Sequence, residues 1–465
     1  MTMAAPTPPK PAAPKPAVIR MYAAREEIYP REAKGRYASL RWACVWITQL
    51  VFYGLPWLNW NGRQAVLFDL GARKFYIFGM VLWPQDFIYL AALLIICAYL
   101  LFMVTAVAGR VWCGFACPQT VYTEIFMWIE RRIEGARSAR MRLDRQPWSL
   151  EKLGKKSAKH LAWGLVALYT GISFVAYFTP VRALFDGHTL GPWEVFWIGF
   201  YALATYGNAG WMREQVCKYM CPYARFQSAM FDKDTLIVTY DRARGEPRSA
   251  KPAEGKGDCI DCSLCVQVCP TGIDIRKGLQ YECIGCAACV DACNVVMDKI
   301  GKPRGLIRYS TDHALERKWD ARQIGRRILR PRVLVYCAIL GLIVLAFFTA
   351  LSLRTPLKLD VLRDRGSMGR EVEDGMIENV YRLQIMNTGE HAHRFALEVE
   401  GIEGIRMDGS TEAEIEGATT RAVPVRVRAP REAAKRGSNH IEFTVRAVDG
   451  SGLKVEEKAV FIVPR

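Results

Sequence analysis

Eight cysteines between Cys259 and Cys293 repeat one spacing twice. The first run is Cys259-x2-Cys262-x2-Cys265-x3-Cys269, followed by Pro270; the second is Cys283-x2-Cys286-x2-Cys289-x3-Cys293. Thiolates at this spacing let one loop wrap three corners of an iron-sulfur cubane, while the fourth cysteine of each run crosses to the other cluster. The cross-over predicts cluster one on Cys259, Cys262, Cys265 and Cys293, and cluster two on Cys269, Cys283, Cys286 and Cys289. Two structural zinc sites would also use paired C-x2-C units. Strict duplication of a four-cysteine run, with Pro270 in place, argues instead for two 4Fe-4S clusters. One position departs from the pattern: the second run ends in Asn294, not proline. The spacing implies that electrons pass through the chain.

A second constellation lies upstream. Cys113-Gly-Phe-Ala-Cys117-Pro118 and Cys217-Lys-Tyr-Met-Cys221-Pro222 are both C-x3-C-P, and each follows a hairpin of two apolar stretches. On a helix, residues i and i+4 share a face, so each pair would present two sulfurs in one direction. The following proline would break or kink the helix and fix its end. If the two hairpins pack together, the four sulfurs converge. Soft thiolates in such a group select Cu(I), zinc or iron-sulfur; a redox-active disulfide is another use; four small buried residues is the plainest reading. Two matched pairs ending in proline favour function over packing.

The surrounding elements must hold these groups at a membrane. The chain has 465 residues, enough for two or three domains, and its hydrophobic content is 51%. Mean hydropathy is near zero, so the apolar residues are clustered. Five stretches are long enough to span a bilayer, which needs about 20 residues: 40–59, 86–108, 161–180, 193–211 and 333–353. Glycine and polar residues such as Asn208 interrupt the third and fourth. Trp57, Trp60, Trp83, Trp193 and Trp211 fall near the ends, as an aromatic belt would put them.

The net charge of +17 invites a nucleic-acid reading. Its distribution excludes one, because the basic residues flank apolar stretches. The loop 110–159 carries eleven lysines and arginines, whereas 61–83 carries Arg63, Arg73 and Lys74, and 181–191 only Arg182. Positive loops belong in the cytoplasm, which puts the N-terminus and 213–332 there and 355–465 on the far side. Residues 2–19 are rich in proline and alanine, without the apolar core of a signal peptide. None of the fifteen cysteines lies after Cys337, so no disulfide framework is expected and the cluster segment faces a reducing compartment.

After Thr355 the pattern changes to alternation, as in Tyr381–Ile385, Val423–Val427 and Ile441–Val445, with turn signals at Asn387-Thr388-Gly389 and Asp449-Gly450. This predicts a small antiparallel sandwich of immunoglobulin type without an intersheet disulfide. Pro424 marks an edge position. The expected fold class is therefore an α-helical membrane domain of five transmembrane helices, an inserted ferredoxin-like two-cluster domain and a C-terminal all-β immunoglobulin-like sandwich. Its boundaries are 1–38 (disordered cytoplasmic tail), 39–230 (four-helix membrane domain), 231–331 (cluster domain), 332–354 (fifth helix) and 355–465 (sandwich).

Other candidates carry less weight. The histidines are His160, His188, His313, His391, His393 and His440, and no two are expected to face each other across spans as a membrane haem requires. His391-x-His393 reads as a solvated hairpin rather than a metal site. Asp86 and Glu124 are weighed as a proton or quinol site and read as interfacial charges. Met212, Met220 and Met230, although thioethers suit copper, read as core, as do Cys44, Cys97 and Cys337. Thr120–Arg132 reads as an amphipathic helix lying on the cytoplasmic surface, apolar through Val121, Ile125 and Trp128.

The order of parts resembles the cytochrome c oxidase accessory protein family, known as CcoG, FixG or RdxA. The resemblance rests on Cys113-x3-Cys117-Pro118, Cys217-x3-Cys221-Pro222, both four-cysteine runs and the strand-rich tail, and covers the chain beyond its N-terminal tail. Membrane subunits of quinol dehydrogenases share the two C-x3-C-P hairpins; the added span and strand-rich domain favour the accessory family. The resemblance implies a bacterial inner-membrane protein with a periplasmic immunoglobulin-like domain, supporting assembly of a cbb(3)-type oxidase. It further implies reduction of Cu(II) to Cu(I) for that oxidase, with oxidase assembly factors and copper chaperones as partners.

The leading reading is a cupric reductase in which the two clusters take electrons from a cytoplasmic donor and pass them to copper near Cys113, Cys117, Cys217 and Cys221. The second is an electron-transfer subunit between quinol and a reductase. The third is a non-catalytic assembly scaffold. The sequence leaves the donor and the oligomeric state open, a homodimer included.

Overall fold

The computed structural model describes residues 27–186, 190–250, 255–364, 366 and 369–464. Most of the expected N-terminal tail, and His188, lie outside them.

Helix α1 (Arg36–Gly54) leads to a three-stranded antiparallel sheet, β1 (Val66–Asp69), β2 (Lys74–Ile77) and β3 (Met80–Leu82). Then comes α2 (Phe87–Ala108), an unbroken apolar run that stops at Gly109, whose φ of 56° is left-handed. A Cβ there would also stand 3.0 Å from the Leu236 carbonyl, so glycine is required twice over. The first C-x3-C-P segment is α3 (Val111–Phe115), a break, and α4 (Pro118–Glu134). After α5 (Arg137–Arg145), α6 (Leu150–Val175) is capped by Ser149, whose Oγ accepts from the Lys152 amide at 3.2 Å. Helix α7 (Pro192–Thr205) widens into π-type turns over Tyr206–Met212 and Val216–Met220 before α8 (Pro222–Met230). In the cluster segment, β4 (Ile237–Tyr240) pairs antiparallel with β5 (Ile307–Ser310), and the cysteine loops and α9 (Ala288–Lys299) lie between them in sequence. Helix α10 (Pro331–Ser352) follows.

Among the described residues, two helical stretches are long and apolar enough to cross a bilayer: Pro84–Ala108, of mean hydropathy 2.8, and Pro331–Ser352, of 2.7. They pack antiparallel. Tyr99 meets Tyr336 edge-on with ring centroids 6.0 Å apart, and the Tyr89 hydroxyl donates to the Ala350 carbonyl at 3.2 Å. Helices α6 and α7 form a second antiparallel pair, close enough that a Cβ on Gly171 would fall 2.4 Å from the Ile198 carbonyl. The third and fourth predicted stretches differ from these helices. Helix α6 starts eleven residues before 161, because its first three turns bury charge rather than meet lipid, and α7 loses α-helical form from Tyr206.

The amphipathic stretch Thr120–Arg132 is helical as expected, but α4 docks on α6 and does not simply lie on a surface. Phe126 is fully buried and stacked on Trp163 at 5.3 Å, and the Trp163 indole N–H donates to the Phe126 carbonyl at 3.0 Å. Burying such a side chain contributes about 1.5–3 kcal/mol. On the polar side, Glu130 meets Arg140 at 2.8 Å and Glu134 meets Lys159 at 2.8 Å, all four buried. Buried charges persist only when paired in this way. A helix with ions on one side and aromatics on the other thereby locks the 110–159 loop to the helical bundle.

The tail is a two-sheet sandwich of β6 (Leu357–Arg363), β7 (Met376–Asn387), β8 (His393–Glu400), β9 (Arg406–Asp408), β10 (Glu412–Ile415), β11 (Thr419–Pro430), β12 (Gly437–Ala447) and β13 (Lys454–Val463). One sheet runs β9-β11-β7-β6, the other β10-β8-β12-β13. Leu383, Phe395, Phe443 and Phe461 interdigitate as its core. Pro424 pairs with Arg382 of β7, while β9 reaches only Arg426–Arg428 on the other side, so the proline stands where the outer neighbour has ended. Asp86, 3% exposed, receives Arg354 at 2.7 Å and also pairs with Lys358. That group of charges ties the start of α2 to the end of α10 and to β6.

Candidate metal centres

The two cysteine runs take the same local path. Asp261 and Ser263 have φ of 52° and 55°, and Gly285 and Ala287, at equivalent places in the second run, have 66° and 56°. Left-handed residues at alternate positions wrap the backbone so that successive cysteines turn inward. Cys259, Cys262, Cys265 and Cys293 line one cavity. Cys269, Cys283, Cys286 and Cys289 line a second, which Cys265 also borders. The fourth cysteine of each run therefore stands in the other run's cavity. Helix α9 makes the exchange by carrying Cys289 to one cavity and Cys293, one turn on, to the other.

The donor chemistry fits 4Fe-4S. Each cavity offers four sulfurs and an apolar wall, with Leu306 and Ile307 in the first and Val238 and Ile275 in the second. Tetrahedral zinc would need its sulfurs about 3.8 Å apart, from a Zn–S bond of 2.3 Å. Among the described residues, no group of three or more His, Cys, Asp or Glu is drawn together tightly enough to hold one ion. Burial pushes the Cys265 thiol up to about 11 and those of Cys283 and Cys293 up to about 12. Such thiols keep their protons until a metal centre replaces them.

The cavities differ in exposure. Cys262 reaches solvent at the first; at the second, Cys286 is buried beneath the C-x3-C-P segments. Cys113 and Cys217 share an apolar cluster with Ile284, Cys286 and Cys289. A Cβ on Gly114 would lie 2.8 Å from the Cys286 backbone, so the Cys113 turn rests directly on the second cluster loop. Helix α1 is tied to the same region. The Asp291 carboxylate accepts from the backbone amides of Tyr37 at 3.2 Å and Ala38 at 2.7 Å, capping α1 from a distant part of the chain. Arg41 donates to the Cys286 carbonyl at 2.8 Å.

The four upstream cysteines come together, though not in the expected geometry. Cys113 lies in the five-residue α3 and Cys217 in a π-type turn, so neither pair shares an α-helical face. Cys117 and Cys221 are instead the N-caps of α4 and α8, because Pro118 and Pro222 at N1 start new helices rather than kink old ones. Burial first, and then proximity of Cys117, Cys113 and Cys221, pushes the Cys217 thiol up to about 12; Cys113 is pushed up to about 11. Cys117 is also raised by burial, partly offset by backbone N–H groups of Gln119 and Thr120. The sulfurs sense one another without closing on one ion.

Two functional candidates carried no readable signal: Arg110, which looked like any positive residue ending an apolar stretch, and Gln227, an amide in a short helix. Both are buried beside Cys113. Elsewhere, His313 bonds Asp234 at 2.8 Å and His393 bonds Asp449 at 2.6 Å, remote from the cavities. Glu124 is held by Arg131 at 3.5 Å, and Asp86 is a buried, paired charge at the end of an apolar helix. Cys337 lies 3.6 Å from Met103 in the α2–α10 contact, and Met220 is exposed.

Three stretches of the chain match known families. Residues 212–312 match a family described as a 4Fe-4S dicluster domain, 90–135 one described as a 4Fe-4S binding domain, and 347–464 one described as an IG-like fold at the C-terminal of FixG. Protein RdxA of Cereibacter sphaeroides is 42% identical over 416 residues, covering 87% of each chain. The chain belongs to the FixG/RdxA family. Nitrogen fixation protein FixG of Rhizobium meliloti is 40% identical over 427 residues, covering 83% of this chain and 82% of its own. A crystal structure of a FixG-related protein from Vibrio parahaemolyticus aligns with 24% of this chain at 21% identity and a TM-score of 0.22. This family member is an iron-sulfur electron-transfer protein with an immunoglobulin-like C-terminal domain.

Proposed function

We propose that this chain carries electrons from a cytoplasmic donor through its two clusters to Cu(II), releasing Cu(I) in support of cbb(3)-type oxidase assembly. The contact of the Cys113–Gly114 turn with the Cys286 loop carries the reading, because it sets soft thiols against the buried cluster site. Each 4Fe-4S cluster, when bound, supplies one-electron storage and transfer. Cys262 gives a donor access to the first cavity, and Cys265, which borders both cavities, joins them. At the far end, Cys113, Cys117, Cys217 and Cys221 favour the soft Cu(I) product over Cu(II). The step balances as Cu(II) plus one electron giving Cu(I), with a thiol proton released when sulfur binds the ion.

In this reading, five helices cross the inner membrane. The outward faces of α1, α6 and α7 support it with exposed Trp46, Leu50, Leu161, Leu165, Phe196 and Leu203, side chains suited to lipid. The lysine and arginine balance puts the N-terminus and the clusters in the cytoplasm and 355–465 in the periplasm. Oxidase assembly factors and copper chaperones are the proposed partners.

The test uses purified, cluster-loaded protein. After reduction, Cu(II) with a Cu(I) chelator should yield Cu(I) in proportion to the electrons stored. An unchanged rate in the Cys113→Ser, Cys117→Ser double variant would remove copper from these thiols. Cluster oxidation by a quinone analogue without copper would favour a quinol-linked subunit; neither reaction would favour a scaffold.

A further inference from the structure

Arg110 is 6% exposed, and among the described residues no carboxylate lies within ion-pair distance of it. Leaving a charge buried without a counter-ion costs several kcal/mol. Its guanidinium is spent on the second cluster loop. Nη1 donates to the Tyr281 carbonyl and to that of Cys283 at 3.4 Å, and Nε donates to the Gln227 side-chain oxygen at 2.6 Å. That oxygen also accepts from Cys113 Sγ at 3.4 Å. Gly285, at φ 66°, presses the same loop onto the Arg110 backbone, a Cβ there lying 3.2 Å from its carbonyl. Gln227 is fully buried, and its side-chain oxygen is the atom that both Arg110 and Cys113 reach.

The first cavity has the opposite arrangement. Arg276 lines it, but Asp274 meets that guanidinium at 2.8 Å and Asp261 pairs with it as well, so its charge is cancelled. A 4Fe-4S cluster held by four thiolates is anionic, and the carbonyls that Arg110 bonds belong to the loop that leads into the second cavity.

We propose that Arg110, oriented by Gln227, is a positioning residue that joins the Cys113 turn to the second cluster loop and favours the reduced form of cluster two. A nearby uncompensated positive charge stabilises the more negative, reduced state, so it raises that cluster's potential. Cluster one, whose arginine is neutralised, lacks this pull. Electrons then run downhill from the solvent-facing cluster to the buried one. The inference rests on the electron-transfer part of the proposed function and not on copper.

An EPR-monitored redox titration of the cluster-loaded full chain tests it, with Cys262→Ser and Cys286→Ser assigning the two signals. Arg110→Gln should lower the cluster-two potential and leave cluster one unmoved. Arg110→Lys, which keeps the charge, should restore most of the difference, and Gln227→Leu should give a smaller fall of the same sign. An unchanged cluster-two potential in both Arg110→Gln and Gln227→Leu would overturn the proposal, as would an equal fall at both clusters. If Arg110→Gln fails to load iron, Arg110→Lys and Gln227→Leu decide: equal, wild-type potentials in both overturn it. Copper yield is read separately, so loss of Cu(I) formation with potentials intact would count against the copper reading alone.

Discussion

The two cluster cavities start from the same four-cysteine spacing and end in different surroundings. Cavity one opens to water at Cys262 and is lined by Arg276, whose charge Asp274 cancels. Cavity two is covered by α1 and the Cys113 turn, and the loop that carries Cys283 accepts hydrogen bonds from Arg110, which no carboxylate opposes among the described residues. Identical local backbones therefore do not make equivalent sites. What distinguishes them is what the rest of the chain lays over each, which gives one cluster to the solvent and the other to the thiols.

The largest effect expected comes from removing one cluster. Cys286→Ser should halve the iron content, about four of eight atoms, and abolish delivery to copper while the cluster-one EPR signal persists. Loss of both signals would mean that the two cavities are not independent sites. Gly114→Ala comes next. Its Cβ meets backbone at 2.8 Å, so the turn must lift, at a cost of about 1–3 kcal/mol. Cu(I) formation should slow while the cluster-one potential stays unchanged, and a normal rate would break the link between this contact and transfer.

Asp291→Ala removes the distant cap on α1 and should lower stability by about 0.5–2 kcal/mol, read as a fall in Tm of the loaded protein. The metal-free chain offers a chemical contrast. At pH 8 a thiol with a pKa of about 12 is ionised to about one part in 10⁴, so Cys217 should resist iodoacetamide while exposed Cys262 reacts, and its rate should climb as pH rises towards that pKa. The smallest effect is expected at an exposed ion pair outside the cavities. Arg248 pairs with Glu246 at 3.1 Å in solvent, and Arg248→Ala should change stability by less than about 1 kcal/mol.

Much of the cluster site was legible because ligand spacing is a local property: a loop of fixed length can wrap only one way around a cubane. The sandwich was legible for a similar reason, since alternation such as Val423–Val427 reports the two faces of a strand directly. The third and fourth apolar stretches were less so. Periodicity does not show that Lys152 and Lys159 find carbonyl and carboxylate partners, which is what lets α6 begin early. The C-x3-C-P pairs misled in detail, because proline at the first helical position and proline inside a helix look identical in sequence.

The sequence by itself determined that two four-cysteine iron-sulfur runs precede an immunoglobulin-like tail, a consequence of spacing and side-chain type over short distances. Only the tertiary structure decided that Cys113 and Cys217 lie against Cys286, that Asp291 caps a helix more than two hundred residues away, and that Arg110 is buried with no carboxylate. Those outcomes depend on which distant surfaces exclude water together, and no short stretch of sequence records that.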